Sequence, residues 1–115
     1  LPGGQKEKSD KNLIETAVRE TNEEIGADKK HIRILGSLTE IYIPPSNFLV
    51  QPIVGYYSET TKFKPDLREV SKLLSLSLRD LLNSKITQKK IRIRKDENKT
   101  SVSCYIVENE IVWGA

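Results

Sequence analysis

The sequence predicts an α+β or α/β fold on three observations. One segment has clear helical periodicity, several short apolar runs are bounded by proline, glycine or polar clusters, and 115 residues suit one domain. Residues 1–9, with Gly3, Gly4 and many polar side chains, read as a loop. Ser9 or Asp10 is the predicted N-cap, since either side chain can accept from the unpaired N–H groups of a first turn. Leu13, Ile14, Ala17, Val18, Thr21 and Ile25 then recur at helical spacing, so a helix is predicted over 10–25, and Gly26 is placed to stop it.

Apolar runs over 31–43 predict strand, broken at Pro44-Pro45-Ser46-Asn47 because proline cannot donate to a ladder. Residues 48–57 form the next strand candidate, with Pro52 marking an edge position or a bulge. Residues 58–65 are a polar loop. Leu74, Leu76 and Leu78 alternate in 70–78, and 77–83 suit a short capped helix. Segments 86–94 and 100–107 flank Asp96-Glu97-Asn98-Lys99 in a hairpin pattern. No repeat, low-complexity tract or domain linker interrupts this order.

Composition excludes several classes. With 19 Lys and Arg against 16 Asp and Glu, the net charge of +3 is too small to imply nucleic-acid binding. No run approaches the ~18 apolar residues of a membrane span. The single cysteine, Cys104, can build neither a disulfide framework nor a cysteine zinc site, and it reads as a sheet or core residue in a reducing, cytoplasmic setting. There is no Met, so the chain reads as part of a longer protein.

The helix carries Glu20, Glu23 and Glu24 within an arc of about 100° beside its apolar stripe, so their carboxylates are expected to converge. Like charges at these spacings repel by roughly 0.2–0.5 kcal/mol per pair. Acids in the last turns oppose the helix dipole by roughly 0.3–1 kcal/mol each. Such local conflicts concentrate at functional sites, and a hard divalent cation would relieve them. Arg19, four residues before Glu23 and three after Thr16, can pair with an acid and orient it. The alternative is a solvated acidic face with an ordinary Arg–Glu pair. Gly3-Gly4 adds a backbone able to approach a ligand or metal closely.

Gly4, Asp10 and the run Arg19-Glu20-Thr21-Asn22-Glu23-Glu24-Ile25-Gly26-Ala27 resemble the Nudix box, of general form G-x5-E-x7-R-E-U-x-E-E-x-G-U, over 4–27. Asp10 replaces the usual Glu, eight residues rather than seven separate it from Arg19, and Thr21 takes the bulky apolar position. The first two differences are similar to the coenzyme A pyrophosphatase branch. So are Pro44 to Gly55 and the segment 65–82, where Glu69-Val70 precede Leu78-x-x-Leu81.

The resemblance implies an α/β/α-sandwich Nudix-like fold with a mixed sheet, of which 1–115 would be one partial domain lacking opening strands and a closing helix. It implies an Mg²⁺- or Mn²⁺-dependent hydrolase of a small nucleoside diphosphate derivative, compatible with a homodimer. Glu20 and Glu24 would be the principal metal ligands, Glu23 a further ligand or base, the Gly4 carbonyl a ligand, Arg19 the orienting group, and Glu69 an additional acid. For coenzyme A, the implied products are adenosine 3′,5′-bisphosphate and 4′-phosphopantetheine. Lys62, Lys64, Arg92 and Arg94 are available to a 3′-phosphate, although each also reads as a solvated charge. Tyr42, Phe48, Tyr56 and Tyr57 could stack on adenine or pack within strands, and His31 reads as a turn or strand-start residue. Two other readings stay open: hydrolysis of ADP-ribose, a nucleotide sugar or a dinucleotide, and a non-catalytic nucleotide-binding module.

Overall fold

The helical period yields α1, Leu13–Ile25, in the computed structural model, which describes residues 1–59, 62–82, 88–95 and 98–113. The helix begins later than the sequence implies. Its N-cap is Asn12, whose side chain accepts from the Glu15 N–H at 3.0 Å. Neither earlier candidate is available for that task. The Ser9 hydroxyl donates to Glu7 at 3.4 Å, and the Asp10 carboxylate is buried against Arg19 and Thr16.

The other end stops where expected. Gly26 adopts the left-handed conformation, φ 70°, and its N–H bonds Asn22 O at 2.9 Å. The Asn22 side chain donates to Ala27 O at 2.9 Å. Backbone N–H groups of Lys64 and Asp66 close the end by donating to Ile25 O at 2.9 Å and Glu24 O at 2.8 Å. Gly26 is thus constrained twice, since a Cβ there would also stand 2.8 Å from the Lys64 carbonyl oxygen.

Two compact units make up the chain, Leu1–Lys72 and Leu73–Ala115. In the first, a 3₁₀ turn at Lys29–His31 leads into β1, Ile32–Ser37, which pairs antiparallel with β4, Ile53–Tyr57. His31 is therefore the turn residue that the sequence suggests, with Nδ1 3.2 Å from Glu59 Oε1. Between these strands lies the hairpin of β2, Ile41–Ile43, and β3, Phe48–Val50, turned at Pro44 to Asn47, with Asn47 at φ 55°. The predicted strand over 48–57 is divided at Pro52. Having no N–H, Pro52 stands between the two ladders, and its carbonyl accepts from the Leu38 N–H at 2.9 Å. The bulge lies on β1, between Ile34 and Gly36.

Ala17, Val18, Thr21 and Ile25 of α1 face Ile32 and Ile53 across a half-open apolar cavity of about 130 Å³. Thr21 suits this stripe despite its hydroxyl, which donates to Ala17 O at 2.6 Å within the helix. Leu13 and Ile14, counted in the stripe, stay exposed.

The second unit holds α2, Leu78–Leu82, with Ser77 accepting from the Asp80 N–H at 3.4 Å. Strands β5, Gln88–Lys95, β6, Asn98–Val107, and β7, Glu110–Trp113, form an antiparallel meander. Pairing reaches Lys95 with Asn98, so Asn98 and Lys99 belong to the ladder and not to the turn. Cys104 is buried in β6, as expected. Thr60 and Thr61 of the polar loop, and Asn83, Ile86, Thr87, Asp96 and Glu97 of the helix, strand and turn expected there, lie outside the described residues.

The α+β class holds. Within it, the described strands form three small antiparallel sheets in place of the implied mixed sheet. Sequential hairpins in β2–β3 and β5–β6–β7 require antiparallel pairing, and β1–β4 simply encloses the first of them. Replacing Gly26→Ala is expected to cost about 1–2 kcal/mol from the left-handed φ alone, read as a lower urea midpoint at unchanged m-value.

Candidate active site

The site is built on Arg19, whose side chain is only 12% exposed. Its guanidinium splits its donors between two sets of acids. On one edge Nε donates to Asp10 at 3.2 and 3.3 Å, and Nη2 donates to Asp10 Oδ2 at 3.1 Å and to the Gln5 carbonyl at 3.2 Å. On the other, Nη1 stands 3.0 Å from Glu20 Oε1 and 2.8 Å from Glu23 Oε2, with Glu7 Oε1 at 3.8 Å. A planar fork with fixed donor directions suits this division, which a lysine ammonium could not reproduce.

Asp10 is 6% exposed and fully engaged. Besides Arg19, it accepts from the Glu7 N–H at 3.0 Å and from the Thr16 hydroxyl at 3.0 Å. The Arg19 hydrogen bonds, then the Glu7 N–H, hold its carboxyl down to about 2, against the opposing effect of burial. Reciprocally, hydrogen bonding to Asp10 and then to Glu23 and Glu20 raises the Arg19 guanidinium further above its usual range.

The three box glutamates share the helix face but do not converge as expected. Arg19 draws Glu20 and Glu23 to one nitrogen, whereas Glu24 Oε1 accepts from the Gly3 N–H at 3.0 Å. Among the described residues, no group of three His, Cys, Asp or Glu side chains is assembled to hold a metal ion. The local conflict inferred from the helix is thus partly relieved by Arg19 and the Gly-Gly loop. Glu20 is largely enclosed and lies against Gly4, where a Cβ would come within 2.6 Å of its Cδ. Gly3, by contrast, has open space around it. Glu23 is half exposed.

The side chains are nonetheless of the type that a hard divalent cation takes, oxygen donors throughout, although they are not gathered into one ligand set. Four carboxylates, Glu7, Asp10, Glu20 and Glu23, share one guanidinium, which leaves net negative charge beside Gly4, whose lack of a side chain lets the loop lie against Glu20. Glu69 lies in an exposed turn after Asp66, the residue whose N–H caps Glu24 O. The neighbouring Asp66 carboxyl is held down to about 2 by hydrogen bonds from Arg68.

Of the other candidates, Tyr42, Phe48 and Tyr56 are exposed, while Tyr57 packs 5.3 Å from Phe63 and accepts from the Asp28 N–H at 3.3 Å. Lys62 and Lys64 are exposed, and Arg92 and Arg94 belong to β5 of the second unit. The residues whose role the sequence reading missed are Asp10 and Thr16. Thr16, one helical turn before Arg19 on the same face, was the available signal.

An α+β chain carrying this acidic helix behind a Gly-Gly loop has the features of a Nudix domain, and the chain belongs to the NUDIX domain family, whose model matches residues 1–96. Nudix enzymes generally use divalent metal ions. Among its relatives, a protein named "Uncharacterized Nudix hydrolase NudL" from Pectobacterium atrosepticum is 31% identical over 119 residues, covering 99% of this chain and 58% of its own. Proteins of the same name from Yersinia enterocolitica and Yersinia pestis are 32% and 31% identical, with 99% of this chain matched to 57% and 56% of theirs. The chain therefore spans a little over half the length of these curated relatives. Among the described residues, no helix is long and apolar enough to cross a membrane.

The Asp10 shift sets an acid limit on stability. Its folded value, lowered from 3.8 to about 2, adds stability that is complete above about pH 4 and lost as pH falls toward 2. Asp10→Asn is expected to lower stability at neutral pH and to flatten its decline between pH 4 and 2, as followed by urea titration at each pH.

Proposed function

We propose that this chain carries the catalytic box of a divalent-metal pyrophosphohydrolase that cleaves the diphosphate of coenzyme A or its derivatives in a reducing, cytoplasmic setting. The products would be adenosine 3′,5′-bisphosphate and 4′-phosphopantetheine. The observation that carries the hydrolase reading is the shared guanidinium: Arg19 binds Glu20 and Glu23 from one nitrogen while Asp10 locks its opposite edge. A surface ion pair needs no such scaffold, and a module that only binds nucleotide has no use for this excess of acids. The branch likeness of Asp10 and its spacing from Arg19, and of residues 44–55, supports coenzyme A as substrate.

Glu20 and Glu24 would hold the cation, with Glu23 and the Gly4 carbonyl as further ligands. Such a cation, Mg²⁺ or Mn²⁺, would supply charge neutralisation for phosphoryl oxygens and activation of water. Arg19 keeps Glu20 and Glu23 on the helix face that meets the loop. Glu23 Oε1, the oxygen not nearest Arg19, can accept the proton of the attacking water at the solvent side. Glu69 is the second candidate for that base.

Full-length protein incubated with Mg²⁺ and coenzyme A is expected to release the two named products faster than it cleaves ADP-ribose or diadenosine polyphosphate. Rapid ADP-ribose turnover without coenzyme A cleavage would replace the substrate but not the reaction class. Glu20→Gln is expected to lower kcat roughly 100-fold or more, and undiminished activity in that variant would refute the ligand assignment. A second expectation follows from the loop: Gly4→Ala, which must displace Glu20, loses at least about 10-fold in kcat, whereas Gly3→Ala retains wild-type activity.

A further inference from the structure

We infer that the Thr16 hydroxyl is a positioning group for the cation site, fixing Arg19 through Asp10 and, through Arg19, the carboxylates of Glu20 and Glu23. The inference rests on the reading of those glutamates as cation ligands. Its basis is the geometry around Asp10. Three neighbours donate to this carboxylate, namely the Glu7 N–H, the Arg19 guanidinium and the Thr16 hydroxyl. Only Thr16 and Arg19 belong to α1, the helix that carries the glutamates, and they stand three residues apart on one face. Glu7 belongs to the loop and moves with it. Thr16 is therefore the contact, independent of Arg19 itself, that registers the loop carboxylate against the frame of the helix.

The hydroxyl has a local alternative, Asn12 O at 3.3 Å, but its shorter bond is to Asp10 at 3.0 Å. Thr16 is 3% exposed, so water cannot take the place of a deleted hydroxyl. Without that donor, Asp10 keeps its pull on Arg19 but loses its tie to the helix. Arg19 Nη1 then no longer presents one fixed position to Glu20 and Glu23. Partners that orient ligands from behind are typically worth 10–100-fold in metal affinity. The group acts on the ligands and not on the nucleotide, so the effect belongs to cation affinity and kcat rather than to substrate KM.

The test compares Thr16→Ser, which keeps the donor, with Thr16→Val and Thr16→Ala, which remove it; alanine is the better helix former. Mn²⁺ affinity of the full-length protein is measured by calorimetry, alongside the Mn²⁺ dependence of hydrolysis, substrate KM and the thermal midpoint. Folded Val and Ala variants are expected to bind Mn²⁺ roughly 10-fold more weakly with KM unchanged, and Thr16→Ser is expected to restore wild-type affinity. Wild-type Mn²⁺ affinity in a folded Val or Ala variant overturns the inference. So does equal impairment in Thr16→Ser, and so does loss of fold in both Val and Ala variants, since each makes Thr16 a packing residue only. A wild-type protein that takes up no Mn²⁺ overturns the cation reading, and the inference with it.

Discussion

The contact between Asp10 and Arg19 is the interaction on which the first unit depends. It joins a loop that has no regular structure to the helix carrying the glutamates, and it does so beneath the surface. Two opposed requirements meet in it. A buried carboxylate must have donors, and a guanidinium that serves several acids needs one firm anchor to set its direction. Asp10 meets both by taking the Nε edge and leaving Nη1 to the glutamates. The Gly-Gly segment then lies on the helix face with Glu24 bound at Gly3 N–H and Glu20 against Gly4.

The far end of the helix is held by a different device. Backbone N–H groups of Lys64 and Asp66 bond the last carbonyls of α1, and Gly26 lets that segment approach. Both ends of the acid-bearing segment are therefore fastened to chain distant in sequence, at residues 3–10 and at 64–66. Propensity alone would fray a last turn rich in acids. Here tertiary contacts keep it ordered, which lets the helix hold its carboxylates close to one cationic group.

What was legible in the sequence was local. The apolar period of α1, the left-handed stop at Gly26, the turn at Pro44 to Asn47 and the short helix behind Ser77 each follow from one residue type in one backbone conformation. The cap of α1 falls at Asn12 and not at Ser9 or Asp10 because Asp10 suits two roles, and the tertiary ion pair outcompetes the local one. The closure by Lys64 and Asp66 uses main-chain donors and leaves no side-chain signature. Convergence of the glutamates was inferred from helix geometry, which fixes Cα directions but not which partner each carboxylate takes.

The most direct test of the cation site is a crystal structure of the full-length protein soaked in Mn²⁺, with the ion located by anomalous scattering. The peak is expected against the oxygens of Glu20 and Glu24 beside Gly4, with Asp10 still bound to Nε and Nη2 of Arg19. A peak elsewhere, or an Arg19 released from Asp10 while the ion is bound at the glutamates, would contradict that assignment.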